Sequence, residues 1–274
     1  MRLFDKVVTT NFNIAQILRQ PDIVVVDCDA VNQYFVTSKS STAWDEKQSP
    51  YARLPYKKAF YEWHTLDDLN RPAQIGFAIG ESSPPDETIV GELPIGSDDV
   101  MLSGMLVGEI GGRLVDPRTV FNSVMDATGS VLHTLISTDG SFGINDKALY
   151  DLLPLWQVVL LANTFLNCAN VKLDDATEAL QPPPKIRRRL GIPEVKRYTL
   201  NIAGHTTRPV RDRADFPLLK NIMPHHLCRG HFAEYTAEKP LFGNPKLVGR
   251  YWHPPHMRGD KKNGEIIKNY ALKG

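Results

Sequence analysis

The sequence predicts an α+β fold: an acidic mixed domain with antiparallel strands and a long buried helix over residues 1–180, a Pro-rich connector at 181–184, and a small basic β-rich domain over 185–274. Three observations predict it. Short apolar runs divided by Gly, Asp and Pro fill residues 88–145, and one long apolar stretch follows, from Leu152 to Cys168. Pro182, Pro183 and Pro184 favour an extended, semi-rigid connector. The sign of the charge reverses at that connector: residues 1–180 hold 13 Lys and Arg against 24 Asp and Glu, a formal −11, whereas 181–274 hold 19 against 7, a formal +12. The whole-chain value of +1 conceals this asymmetry.

Taken in order, Asn11 to Arg19 reads as a short helix with Asn11 or Asn13 as its cap. Ile23 to Val26 is a continuous β-branched run, which predicts a buried strand. Asp27 or Asp29 is placed to cap a helix entered at Ala30. Ser38 to Tyr51 is polar enough for an exposed loop, and Gln74 to Gly80 reads as a strand closed by Ser82-Ser83-Pro84-Pro85-Asp86. Val100 to Gly108 and Val131 to Ile136 are further strands, and Pro117 to Asp126 is expected to be a helix with proline in its first turn. Asn145-Asp146 is expected to cap the apolar helix that ends near Cys168. Beyond the prolines, Val195 to Ile202, Leu227 to Tyr235 and Leu247 to Trp252 read as strands.

No apolar run reaches the roughly 20 residues of a membrane span, and Met1 to Lys6 lacks the layout of a secretory signal. Three widely spaced cysteines, with Cys28 and Cys168 in apolar settings, predict free thiols in a reducing cytoplasm. No Gly-x-Gly-x-x-Gly, Walker lysine loop, Gly-x-Ser-x-Gly or His-Glu-x-x-His occurs, which argues against those site classes.

The basic part carries six of the eight histidines and a distinctive pattern. Arg229-Gly230-His231-Phe232 precedes Pro240-Leu241-Phe242-Gly243, then Tyr251-Trp252 and a closing Arg258-Gly259. This resembles a pattern in uncharacterised proteins of bacteriophages and other mobile elements, accompanied upstream by segments similar to Phe165 to Val171 and Arg197 to Leu200. The resemblance covers roughly residues 160 to 260. It implies a phage or mobile-element origin and no particular reaction.

Physically, a region of this charge attracts polyanions, and nucleic acid is the expected partner. Arg187, Arg188, Arg189, Arg229, Arg250 and Arg258 are expected to hold phosphates, with His231, Tyr251 and Trp252 offering ring faces to bases. A plainer alternative is that Trp252 and Phe232 fill a small core and the Arg run is a solvated face. Cys228, His231, His253 and His256 form two pairs at zinc-like spacing, so a Zn²⁺ site is a second reading of the segment. His231 or His256 as general base in a nuclease is a third.

In the acidic part, Asp27-Cys28-Asp29 at the end of an apolar strand is similar to the Asp-x-Asp with which haloacid-dehalogenase-type phosphotransferases present carboxylates to Mg²⁺. Ser137-Thr138, Lys172 and Asp174-Asp175 follow in that family's order, although Lys172 and Asp174 stand closer than the family spaces them. His64 has no evident partner in the sequence. A host protein engaged by the acidic region is the remaining alternative.

Overall fold

The computed structural model describes residues 2–20, 22–39, 51–67, 69–83, 98–138, 152–202, 224–228, 230–258 and 260–266. At its centre is one mixed nine-stranded sheet. Strands β1 (Ile23–Asp27), β2 (Lys58–Leu66), β3 (Pro72–Ser82) and β4 (Val100–Ile110) are joined by β5 (Arg113–Val115), β6 (Thr119–Met125) and β7 (Val131–Thr138). Two later strands, β8 (Lys172–Asp175) and β9 (Lys196–Asn201), complete it. The order is β7-β6-β4-β3-β2-β1-β9-β8, with β5 paired to β4. In this sheet only β2, β1 and β9 run parallel to one another; its other pairings are antiparallel. The chain is therefore mixed α/β, with few helices around a large sheet.

Both faces of that sheet are covered, which explains the unbroken Ile23 to Val26 run. On one face, α1 (Leu3–Val7) and α2 (Asn13–Leu18) pack Leu3, Phe4, Ile14 and Leu18 against Val25, Phe60 and Ala78. On the other, α3 (Asp29–Lys39) and α4 (Leu153–Leu166) bury Phe35, Trp156, Leu160 and Phe165 against Val26, Tyr61, Phe77 and Leu200. Alternate residues of each strand thus serve opposite cores. Polar groups on α4 are satisfied across the interface: Trp156 Nε1 donates to Ser123 Oγ at 2.8 Å, and Asn163 Nδ2 donates to the Ala52 carbonyl at 2.8 Å. No helix among the described residues is long and apolar enough to cross a membrane.

Several expectations change. Residues 119–125 form β6 rather than a helix, because Phe121 and Ser123 sit fully buried on alternate positions beside β4 while Pro117 precedes the strand. Helix α2 is entered through Phe12 with no side-chain cap; instead Thr10 Oγ1 accepts the Phe12 N–H at 3.2 Å. The apolar helix α4 begins at Leu153, and Asn145 and Asp146 lie outside the described residues, as does most of the 38–51 segment. Residues 227–235 make two strands, β10 (Pro224–Cys228) and β11 (His231–Tyr235), parted at Gly230, where a Cβ would overlap the Trp252 ring.

The prolines do not interrupt the sheet. Helix α5 (Thr177–Leu180) leads into them, and α6 (Pro184–Leu190) starts on Pro184, whose missing N–H costs nothing in a first turn. Gly191, at φ +66°, ends α6 in the left-handed conformation. The chain then enters β9, which pairs with both β1 and β8. Gln181 Nε2 donates to the Val195 carbonyl at 2.5 Å, and Arg197 N–H donates to Thr177 Oγ1 at 3.0 Å, so the connector is fastened to β9. A hairpin of β11 and β12 (Gly249–His253) packs on the end of α4, while β13 (His256–Arg258) and β14 (Asp260–Ile266) flank β10 in a three-stranded sheet.

Close packing between β4 and α4 gives a direct check. A Cβ on Gly104 would overlap the Trp156 ring. Gly104→Ala is expected to destabilise the fold by about 1–3 kcal/mol, measured by urea denaturation; an unchanged midpoint would contradict this packing.

Candidate functional site

Two of the residues expected to form an aromatic, phosphate-binding sheet, Tyr251 and Trp252, point inward, whereas His231 is exposed. Trp252 is 1% exposed and sits edge-on to Phe165 and Tyr34, with ring centroids 5.0 and 5.1 Å away. Its backbone is held by Asn170, which donates from Nδ2 to the Trp252 carbonyl at 2.7 Å and accepts the Trp252 N–H at 2.8 Å. Tyr251 is 6% exposed, against Tyr235. Trp252 and, beside it, Phe232 pack on Phe165 at the end of α4, which is the core role the plainer alternative gave them. Stacking a base on Trp252 would first require opening that core.

The cations divide into covered and exposed groups. Arg250 lies over the ring of Tyr51, whose hydroxyl donates to Glu234 at 2.8 Å, and Glu234 is the cross-strand neighbour of Arg250. Arg187 pairs with Glu194 at 3.3 Å. Arg188 and Arg189 are exposed on α6, together with Lys185. Arg229 lies outside the described residues, and Arg258 is on β13.

The expected zinc ligands stand in two cross-strand pairs. Cys228 opposes His256 between β10 and β13, and His231 opposes His253 between β11 and β12 with rings stacked at 5.0 Å. His253 Nε2 lies 3.0 Å from the Tyr235 hydroxyl, and His256 Nδ1 lies 3.1 Å from the Pro254 carbonyl. Burial lowers the His253 pKa, helped by the neighbouring His231 and His256. Among the described residues no three His, Cys, Asp or Glu side chains gather as a metal centre.

A different group of polar residues converges beside the carboxyl end of β1. Strand alternation puts Asp27, Glu62 and His64 on the sheet face that α1 covers. Arg2, just before α1, pairs with Asp27 at 2.8 Å, and Asp27 Oδ1 accepts the Asp29 N–H at 3.0 Å. Glu62 accepts the Phe4 N–H at 3.0 Å. Asp5 pairs with Arg197 of β9, each of them 1% exposed. Burial pushes the Asp5 carboxyl above the usual range, opposed by the Arg197 guanidinium, and burial does the same to Glu62. Cys28 is raised well above an ordinary thiol by burial and then by the carboxylates of Asp27, Asp29 and Glu62, so it is held as a protonated thiol.

His64 links this cluster to β3. Its Nδ1–H donates to Asp29 Oδ2 at 3.0 Å, its backbone N–H donates to Asp29 Oδ1 at 2.6 Å, and its Nε2 accepts from Gln74 Nε2 at 2.7 Å. Arg2, Asp5, His64 and Gln74 form the polar end of a cleft of about 640 Å³. Leu180, Pro182, Pro183 and Ile186, from α5, the connector and α6, supply its apolar wall. Clefts beside the carboxyl ends of parallel strands are where α/β sheets commonly hold ligands.

The Mg²⁺ reading gains only part of its set. Asp27 and Asp29 are at this cluster, each already engaged by Arg2 or His64, whereas Ser137 lies on β7 at the opposite edge of the sheet. Arg2, Asp5, Glu62, His64, Gln74 and Arg197 were not singled out as one site from the sequence. Asp5 and Arg197 are 192 positions apart, and no local spacing announces the pair. No protein-family model, curated protein or solved structure matches this chain.

The cluster sets a pH dependence. The Glu62 carboxyl titrates higher in the folded chain than in the unfolded one, so its contribution is full below the unfolded value and is lost as pH rises through the folded value. Glu62→Gln removes that loss. The variant's urea midpoint is therefore expected to gain on the native protein's as pH rises from about 4 toward neutrality; a pH-independent difference would contradict the assignment.

Proposed function

We propose that this protein binds nucleic acid, with phosphates held by the exposed cations of α6. The observation that carries this reading is the position of Lys185, Arg188 and Arg189: they are exposed on the helix that also forms one wall of the cleft, in the C-terminal segment, residues 181–274, with formal charge +12. Ile186 lines the cleft, and Arg189 lies one turn further along the same helix face, so a phosphate at Arg189 is adjacent to the cleft mouth. Lys185 precedes Arg188 and Arg189 by three and four residues and faces the same side. Arg229 and Arg258 add to the positive charge of the same segment, residues 181–274.

Burial changes which residues carry the reading. Tyr251, Trp252 and Arg250 leave the proposed contact set, because core packing and the Tyr51 ring already occupy them. The three arginines also complement the negative end of the α6 dipole, a structural role that coexists with phosphate binding. The resemblance of residues 160–260 to phage and mobile-element proteins suggests the setting of a host cytoplasm, and the buried thiols of Cys28 and Cys168 suit that reducing compartment.

The test is a salt series with labelled single- and double-stranded DNA and RNA. The triple variant Lys185→Ala, Arg188→Ala, Arg189→Ala is expected to bind more weakly. Its plot of log affinity against log salt is expected to flatten by about 0.7–0.9 for each phosphate that the protein no longer neutralises. Affinity and slope equal to those of the native protein would overturn the proposal.

A further inference from the structure

His64 stands at the polar end of the cleft with one ring nitrogen held by a carboxylate and the other able to take a proton. Its Nδ1–H donates to Asp29 Oδ2 at 3.0 Å, and Asp29 Oδ1 accepts the His64 backbone N–H at 2.6 Å. One carboxylate therefore grips both the ring and the strand that bears it. An ionised carboxylate only accepts, which fixes the proton on Nδ1 and the lone pair on Nε2. That lone pair accepts the side-chain N–H of Gln74 at 2.7 Å, from the residue directly opposite on β3. The His64 side chain is 51% exposed and lines the cleft, so an occupant reaches the ring and can replace the Gln74 amide with a hydroxyl of its own.

An imidazole oriented by a carboxylate, with its lone pair at a cleft, is the arrangement of a general base. What it acts on follows from the rest of the lining. The described residues around the cleft include no Ser, Thr, Cys, Tyr or Lys, so the wall offers no hydroxyl, thiol or amine nucleophile. RNA brings its own beside every phosphate, the ribose 2′-hydroxyl, and the exposed cations of α6 lie next to the mouth of this cleft. Of the carboxylates nearby, Asp5 and Asp27 are each neutralised by an arginine, and burial favours the neutral form of Glu62. Asp29 keeps its charge, which stabilises the imidazolium formed when His64 takes a proton.

We propose that His64, held by Asp29, is the general base of an RNA-cleaving site in this cleft. The inference rests on the nucleic-acid reading for the supply of the strand. His64 Nε2 takes the proton of a 2′-hydroxyl, O2′ bonds to the adjacent phosphorus, and the P–O5′ bond breaks. The proton then passes from Nε2 to O5′, so the imidazole ends as it began. The products are a 2′,3′-cyclic phosphate and a 5′-hydroxyl. At about 640 Å³ the cleft is within the range of pockets that enclose small ligands, enough for the nucleotide that carries the attacking hydroxyl. Asp29 is a positioning residue, since it touches the imidazole and not the substrate.

The experiment incubates the full chain with end-labelled single-stranded RNA, with DNA of the same sequence and with 2′-O-methyl RNA, and resolves the products and their end groups. The native protein is expected to cut RNA alone and to leave cyclic phosphate ends. His64→Ala is expected to lower kcat by about 100-fold or more, and added imidazole to restore part of it. Asp29→Asn keeps an acceptor for the His64 backbone N–H while removing the charge. It is expected to lower kcat by about tenfold or more, with KM within about twofold of the native value. Intact RNA with the native chain, cleavage of DNA or of the methylated strand, undiminished cleavage by His64→Ala, or an Asp29→Asn variant changed in KM alone overturns the inference. The two readings fail separately. Salt-dependent RNA binding without cleavage leaves the α6 track standing and removes the base. Cleavage with a KM unmoved by the Lys185→Ala, Arg188→Ala, Arg189→Ala variant does the reverse.

Discussion

Two opposite charges removed from water tie this molecule together. Asp5 comes from the first helix and Arg197 from the ninth strand, and neither has access to solvent. Desolvating such a pair is expensive, and the cost is tolerable only while both partners are present. Their contact therefore makes the docking of α1 conditional on the correct placement of β9. Because β9 is reached only through the proline connector and α6, the pair also fixes the wall of the cleft relative to its polar end.

Around that constraint the rest of the architecture is ordinary hydrophobic burial, arranged on two faces. The three parallel strands at β2, β1 and β9 are sandwiched between α1 and α2 on one side and α3 and α4 on the other, while the antiparallel strands extend the sheet to β7. The hairpin of β11 and β12 then closes the open end of the α4 layer with Phe232 and Trp252. A basic, aromatic sequence segment has thus become partly core and partly surface, and only exposure separates the two. Arg188 and Arg189 stay in water, whereas Arg250, from the same compositional half, is covered by Tyr51.

What the sequence disclosed follows from this division. The β-branched run at Ile23 to Val26 was legible because burial on both faces demands continuous apolar side chains, and β3, β4 and β7 were legible from apolar runs bounded by turn residues. Residues 119–125 were misread because Pro117 fits a helix start as well as a pre-strand turn, and the Phe121 and Ser123 alternation is short. Asp27 and Asp29 drew attention as an acidic pair ending a strand, and they do lie at the polar cluster. Their partners Arg2 and His64 could not be inferred, since contacts between the chain start, β1 and β2 depend on the sheet order rather than on any spacing along the chain.

The most direct test of this account is a double-mutant cycle on the buried pair, using Asp5→Leu and Arg197→Met and reading unfolding free energy in urea. Each single replacement is predicted to cost about 3–5 kcal/mol, because it strands one buried charge. The double replacement is predicted to cost much less than the sum, since the two apolar side chains then fill the space without any uncompensated charge. Losses that simply add would contradict the claim that the two side chains act as one unit holding α1, β9 and the cleft together.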